Sequence, residues 1–244
     1  MPSPNPFRSK LQRLGIIRPP LPWHKEKVLK HNAESDTVIL LHGLWRSFWT
    51  MEPMAQHLHQ KGYHTVNIPY PSFTKSMDDL VEYIENIIQK YQGQGKIHFV
   101  THSLGGIIAR ELFSHLNITE VGRLVMLAPP NQGSEIIDWL EDSPLFRLAL
   151  GPAGMQLSSD KIKSPPIPHE IEAAIIMGNQ SMIPFFRDML DDENDGIVSV
   201  EKGKLEGMNE FHVMDADHTF ITSDPNVMSL TSHFIQHGPQ KADD

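Results

Sequence analysis

Cysteine is absent from the 244 residues. That excludes disulfide bridges, thiolate nucleophiles and zinc held by sulfur, and leaves the redox compartment open. Long apolar runs are missing too: none approaches the ~18 residues that span a bilayer. No apolar segment stands behind Met1-Pro2-Ser3-Pro4-Asn5-Pro6-Phe7-Arg8 to form a secretory signal, so the expected location is the cytoplasm. Basic excess is lacking: Lys and Arg number 21 against 30 Asp and Glu, a net charge of −9. Such a balance argues against a nucleic-acid partner and against attraction to anionic lipid. The fourteen histidines never fall in a His-Glu-x-x-His pattern, which removes the commonest helical zinc motif. Repeats and low-complexity tracts are also absent.

What remains is the composition of one globular domain, 39% hydrophobic and 21% charged. Residues 1–35 are proline-rich, with Pro19-Pro20-Leu21-Pro22. They predict an extended arm that Phe7 and Trp23 anchor, with a short strand near Val28–Leu29. From Asp36 onward the pattern alternates. Thr37-Val38-Ile39-Leu40-Leu41 is a continuous β-favouring run suited to a strand covered on both faces. Met51, Met54, Ala55 and Leu58 keep helical spacing, and His64–Ile68 is a second strand. Ser76 caps a helix carrying Leu80, Tyr83, Ile84, Ile87 and Ile88, with Asp78 and Asp79 in its first turn. Strands follow at Ile97–Val100, Val121–Leu127, Ala173–Met177 and Phe211–Met214, and a last helix at Pro225–Gln236. Residues 131–170 break the rhythm, and so long an irregular stretch is usually functional or mobile. The alternation predicts an α/β fold, a doubly wound, mostly parallel sheet whose ligands gather at the carboxyl ends of its strands.

One stretch organises the rest: Ile97-His98-Phe99-Val100-Thr101-His102-Ser103-Leu104-Gly105-Gly106. An apolar strand turns abruptly into a helix, and Ser103 sits at the turn. A serine there is exposed, rigid and at the positive end of a helix, as a nucleophile requires. It needs a base, and the base needs a third group to fix its tautomer. The best-placed base is His218, just past the last strand; His212, its nearest rival, lies within that strand. The best-placed acid is Asp195, next to the turn-permitting Gly196, with Asp191, Asp192 and Glu193 as competitors. His102 is read as packing beneath the turn, and His42 as structural.

Thr101-His102-Ser103-Leu104-Gly105 matches the Gly-x-Ser-x-Gly nucleophile elbow with threonine in place of the first glycine. With it, the chain from about Thr37 to Ile235 resembles the α/β-hydrolases of the lipase and carboxylesterase group. Leu40-Leu41-His42-Gly43-Leu44 resembles their oxyanion strand end. Leu127-Ala128-Pro129-Pro130-Asn131-Gln132-Gly133-Ser134 resembles the segment after the sixth strand of lipases related to inositol-deacylases. Asn194-Asp195-Gly196-Ile197-Val198 resembles the acid loop of bacterial lipases, and Asp217-His218 their histidine loop. The order Ser103, Asp195, His218 is that of the scaffold.

The resemblance implies an α/β-hydrolase fold, reduced to about six strands because the first strands of the full family sheet are not evident before Thr37. It implies an oxyanion hole from the backbone N–H groups of Leu44 and Leu104, no cofactor and no metal, and a small-molecule or lipid ester as substrate. Calcium in the acidic loop is not expected. Trp45, Phe48 and Trp49 are read as either an acyl pocket or helix packing. The 131–170 insertion is read as a small cap on domain 36–244, its Ile136, Ile137, Trp139, Leu140, Phe146, Leu148 and Leu150 presenting an apolar wall. Esterase or lipase activity is the primary reading. Acyl transfer, thioester hydrolysis and a catalytically silent binding protein are the alternatives.

Overall fold

The computed structural model describes residues 25–115, 121–181, 190 and 193–240. The predicted anchors Phe7 and Trp23, and most of the predicted arm, lie outside these residues, as do Asp191 and Asp192.

In chain order the elements are β1 (Lys27–Leu29), β2 (Thr37–Leu41), α1 (Glu52–Gln60), β3 (His64–Ile68), α2 (Met77–Ile88), β4 (Ile97–His102) and α3 (Leu104–His115). There follow β5 (Val121–Leu127), α4 (Glu135–Leu140), α5 (Pro144–Gly154), β6 (Ala173–Gln180), the short α6 (Val200–Gly203), β7 (Glu210–Asp217) and α7 (Pro225–His237). The strands form one seven-stranded sheet in the order β1-β3-β2-β4-β5-β6-β7. Every pairing is parallel except β1 with β3. The expected count of about six becomes seven because β1, only three residues long, adds an antiparallel edge strand before Thr37. The last strand also runs beyond the predicted Phe211–Met214. It is an edge strand, half-exposed along its length, so its polar ends carry no apolar signal.

The alternation of strand side chains sorts the core into two layers. Ile39, Leu41, Phe99, Met126 and Ile175 face the side covered by α2 and α3. Val38, Leu40, Val100, Leu127 and Ile176 face the side covered by α1 and α7. The helix ends follow local chemistry. Ser76, the expected cap, accepts the Asp79 N–H on its Oγ at 3.2 Å, and Asp79 reaches back to the Ser76 N–H, which makes the cap reciprocal. Asp224 caps α7 by accepting the N–H groups of Asn226 and Val227, with Pro225 at the first helical position.

The sheet order places the functional edge. From β2 the chain crosses to β3 on one side and then returns to β4 on the other. The connections therefore part at the carboxyl ends of β2 and β4, where doubly wound sheets bind ligands. Leu41 lies opposite Thr101 there, and His102 opposite Leu127.

The stretch between β5 and β6 contains α4, α5 and a 3-10 turn at Met155–Leu157. Arg110 of α3 is buried and holds its two ends. The guanidinium donates to the Asn131 carbonyl and Oδ1, each at 3.2 Å, and to the carbonyls of Pro165 (2.7 Å) and Ser164. Burial pulls this guanidinium down to about 10. A charge that costly to desolvate is tolerated because its donors are satisfied by oxygen. Among the described residues, no helix is long and apolar enough to cross a membrane.

Candidate active site

Ser103 occupies the sharp turn from β4 into α3 with φ 51°, a left-handed backbone that a non-glycine residue adopts at a cost. Its N–H donates to the Leu127 carbonyl at 2.9 Å, and its carbonyl accepts from Gly106 at 2.9 Å. Gly105 is fixed by crowding: a Cβ there would lie 2.7 Å from the Leu41 carbonyl oxygen. Gly43 is fixed likewise, since a Cβ would lie 2.9 Å from His102 Nδ1 and 3.1 Å from Ser103 Cβ. The turn after β2 can therefore close directly on the serine. Thr101, standing where the motif has glycine, is fully buried in β4, so a side chain is accommodated there.

His218 follows β7 directly. Its Nε2 lies 3.1 Å from Ser103 Oγ and its Nδ1 2.7 Å from Asp195 Oδ2. The three predicted side chains, separated by up to 115 positions, are thus in hydrogen-bonding sequence, and all three are buried. Asp195 is held firmly. Its Oδ1 accepts the N–H groups of Ile197 (3.0 Å) and Val198 (2.9 Å), and its carbonyl accepts the His218 N–H at 3.1 Å. A carboxylate only accepts, so Nδ1 of His218 donates to it and Nε2 is left with a lone pair toward the serine hydroxyl. The described competitors are placed elsewhere. Glu193 is exposed and accepts from Asn179, and His212 pairs with Glu210 at 2.8 Å.

Two residues do more than the sequence suggested. His102 is buried, and its Nε2 donates to the His218 carbonyl at 2.8 Å, tying the serine turn to the histidine loop. Its Nδ1 is then the bare nitrogen, buried with no partner among the described residues. Arg46 donates to Thr219 Oγ1 at 2.8 Å, tying the turn after β2 to the same loop. Backbone and hydroxyl acceptors leave no pattern in sequence, so neither brace was legible there.

His42 is structural, as expected. It stacks on Tyr70 with centroids 3.9 Å apart, and its Nδ1 donates to the Gly43 carbonyl at 2.9 Å. Burial pushes its imidazole down to about 4, and burial pushes His102 well below the ordinary range as well. Between about pH 6.5 and 4 the unfolded chain binds a proton at position 42 that the native protein refuses. That group's stabilisation is therefore complete above pH 6.5 and is lost on acidification. It amounts to about 3 kcal/mol at one 1.36 kcal/mol per pKa unit. The expected result is a urea midpoint that falls from pH 7.5 to 4.5, while NMR shows two imidazoles still neutral at pH 5. A midpoint that holds steady over that range would contradict it.

Ser103 and His218 lie at a cleft that is partly open to solvent. Ile136, Ile137 and Leu140 of α4, Leu150 of α5, Leu157 and Val198 line it. The expected wall is corrected in part: Trp139, Phe146 and Leu148 do not line the cleft and are 58%, 38% and 80% exposed. The aromatic trio after Gly43 divides as well. Trp45 lines the cleft, whereas Phe48 is buried in the protein body with Trp49 tilted against it. Among the described residues, no group of three or more His, Asp or Glu side chains is placed to hold a metal.

A mostly parallel α/β sheet with a buried serine at a strand-to-helix turn, facing a histidine on a later loop, defines a class of hydrolase scaffold. The Alpha/beta hydrolase family model matches residues 38–225, and the chain belongs to that family. In fold it is similar to a Bacillus licheniformis lipase, BlEst2 in its mature form, with TM-score 0.72 and 21% identity over 89% of this chain and 99% of that one. It is also similar to the metagenomic carboxyl esterase MGS0156, with TM-score 0.63 and 16% identity over 85% and 77% of the two chains. In sequence it is similar to the human lysosomal thioesterase PPT2, 25% identical in an alignment 144 positions long that covers 52% of this chain and 47% of that protein. The match thus spans about half of that relative's length.

Proposed function

We propose that this protein is a serine hydrolase that cleaves carboxylic esters by way of an acyl-enzyme. The observation that carries the reading is the continuous relay from Ser103 Oγ through His218 to Asp195, at 3.1 and 2.7 Å, beneath an apolar cleft. In this mechanism Ser103 Oγ attacks the ester carbonyl as His218 Nε2 takes its proton. Asp195 holds the ring and stabilises the imidazolium. The backbone N–H groups of Leu44 and Leu104, on either side of the serine turn, take up the oxyanion. His218 then protonates the departing alcohol, and water cleaves the acyl-enzyme by the same steps. No cofactor enters. The stretch 131–170 serves as the cap, α4 and α5 forming the roof over the acyl group.

Thioester hydrolysis is the second reading, favoured by the similarity to the human thioesterase. The chemistry at Ser103 is unchanged, and only the leaving group differs. A series of 4-nitrophenyl esters from acetate to laurate, run beside the matching acyl thioesters, tests both. We expect kcat/KM for the oxygen esters to rise from acetate to a medium chain, because each CH₂ buried in an apolar cleft contributes about 0.8 kcal/mol. Inertness toward every ester and thioester would end the hydrolase reading. A consistent preference for thioesters would move the assignment to the second one.

A further inference from the structure

We infer that Trp45 is a positioning residue that couples the roof helix α5 to the oxyanion donor at Leu44, an inference that rests on the hydrolase reading above. Gly43 to Arg46 form a tight turn closed by the Arg46 N–H on the Gly43 carbonyl at 3.2 Å. Its third residue, Trp45, has φ 55°. In four-residue turns of this shape, that left-handed place is taken by glycine or asparagine, and a bulky aromatic there is strained. Strain of this kind persists only where the surroundings hold it. Here the holding contact is visible: the indole Nε1 donates to the Ala149 carbonyl of α5 at 2.6 Å. Past a break at Gly151 (φ 66°, ψ 178°), the second half of α5 presses on the residue before Trp45. Gly154 lies so close to Leu44 that a Cβ on it would stand 2.8 Å from Leu44 Cδ2.

Leu44 is therefore gripped from α5 on its side chain and, through Trp45, along its backbone. The direction of its N–H follows from where α5 sits. An oxyanion donor stabilises a transition state only when it points at the place the charge will appear. With α5 docked, the turn is left-handed and the donor is set. If α5 shifted, the indole bond would break, the strained residue would relax, and the donor would swing away. The exposed ring also walls the cleft, so the rival role is a mere contact surface for substrate.

The two roles separate in kinetics. Trp45→Phe keeps a ring but removes the donor to Ala149, whereas Trp45→Gly removes the ring but makes the left-handed turn costless. We expect Trp45→Phe to lower kcat for 4-nitrophenyl butyrate roughly tenfold with little change in KM, since a misplaced donor harms only the transition state. Phosphonylation by diethyl 4-nitrophenyl phosphate should slow in parallel. Trp45→Gly should lower kcat at least as far and also raise KM, because it drops the bond to Ala149 together with the cleft wall and leaves the turn unheld. A kcat for Trp45→Phe equal to wild type, or losses confined to KM in both variants, would overturn the coupling while leaving the hydrolase intact. Wild type that reacts with neither reagent would overturn the hydrolase reading itself, and the coupling with it.

Discussion

Ser103→Ala is expected to lower kcat for a 4-nitrophenyl ester by about 10⁶-fold, on the pattern of nucleophile removal in serine hydrolases. A loss this large is expected because the proposed mechanism makes the hydroxyl the attacking atom, and the neighbouring backbone offers no substitute. Water in its place would have to be positioned and deprotonated without the 3.1 Å hydrogen bond that now joins Oγ to His218. Residual activity of roughly 10³–10⁴ over water would reflect binding and the oxyanion donors alone. Alanine inherits the same left-handed backbone, φ 51°, so the fold should change little. Steady-state kinetics with a parallel urea titration check it: lost turnover with an unchanged midpoint is the expected pair. Turnover within tenfold of wild type would remove Ser103 from the mechanism.

Asp195→Asn should lower kcat by about 10⁴-fold with a much smaller effect on KM. The amide oxygen can still accept the N–H groups of Ile197 and Val198 that Asp195 Oδ1 accepts now. Its NH₂ then faces His218 Nδ1 as a donor. That forces the ring proton to Nε2, where it confronts the serine hydroxyl with another donor, so the base can no longer accept. Asp195→Ala would also free the two backbone donors and loosen the loop, which makes asparagine the cleaner probe. Separate kcat and KM values check the prediction. A loss below tenfold would mean that another carboxylate orients His218.

The parts legible in the sequence are those where side-chain chemistry and fold coincide. Strand β2 is buried on every residue, and a strand covered on both faces must be apolar throughout. Ser103 was readable because a strand, a serine and two glycines in succession leave few geometries. Asp195 and His218 were readable because each sits beside a turn that follows a strand. The unreadable parts depend on backbone or on helix face. The His102 brace ends on a carbonyl. The left-handed Trp45 runs against its own residue preference, so local sequence argues for something else. In the roof, every apolar residue was credited to the cleft, yet α4 turns Ile136, Ile137 and Leu140 inward and leaves Trp139 outward. Six helical residues are too few for periodicity to separate the two faces. The three-residue β1 is likewise below the length at which a strand pattern stands out, although a strand near Val28–Leu29 was expected.

The central claim is that the Ser103 hydroxyl forms a bond to the carbonyl carbon of the substrate. Intact-mass and peptide mass spectrometry after treatment with a 4-nitrophenyl phosphonate reads that bond most directly. The account predicts one adduct per chain, on the peptide containing Ser103, with ester turnover falling in step with its formation. An adduct on a different residue, or ester turnover that persists with Ser103 fully modified, would contradict it.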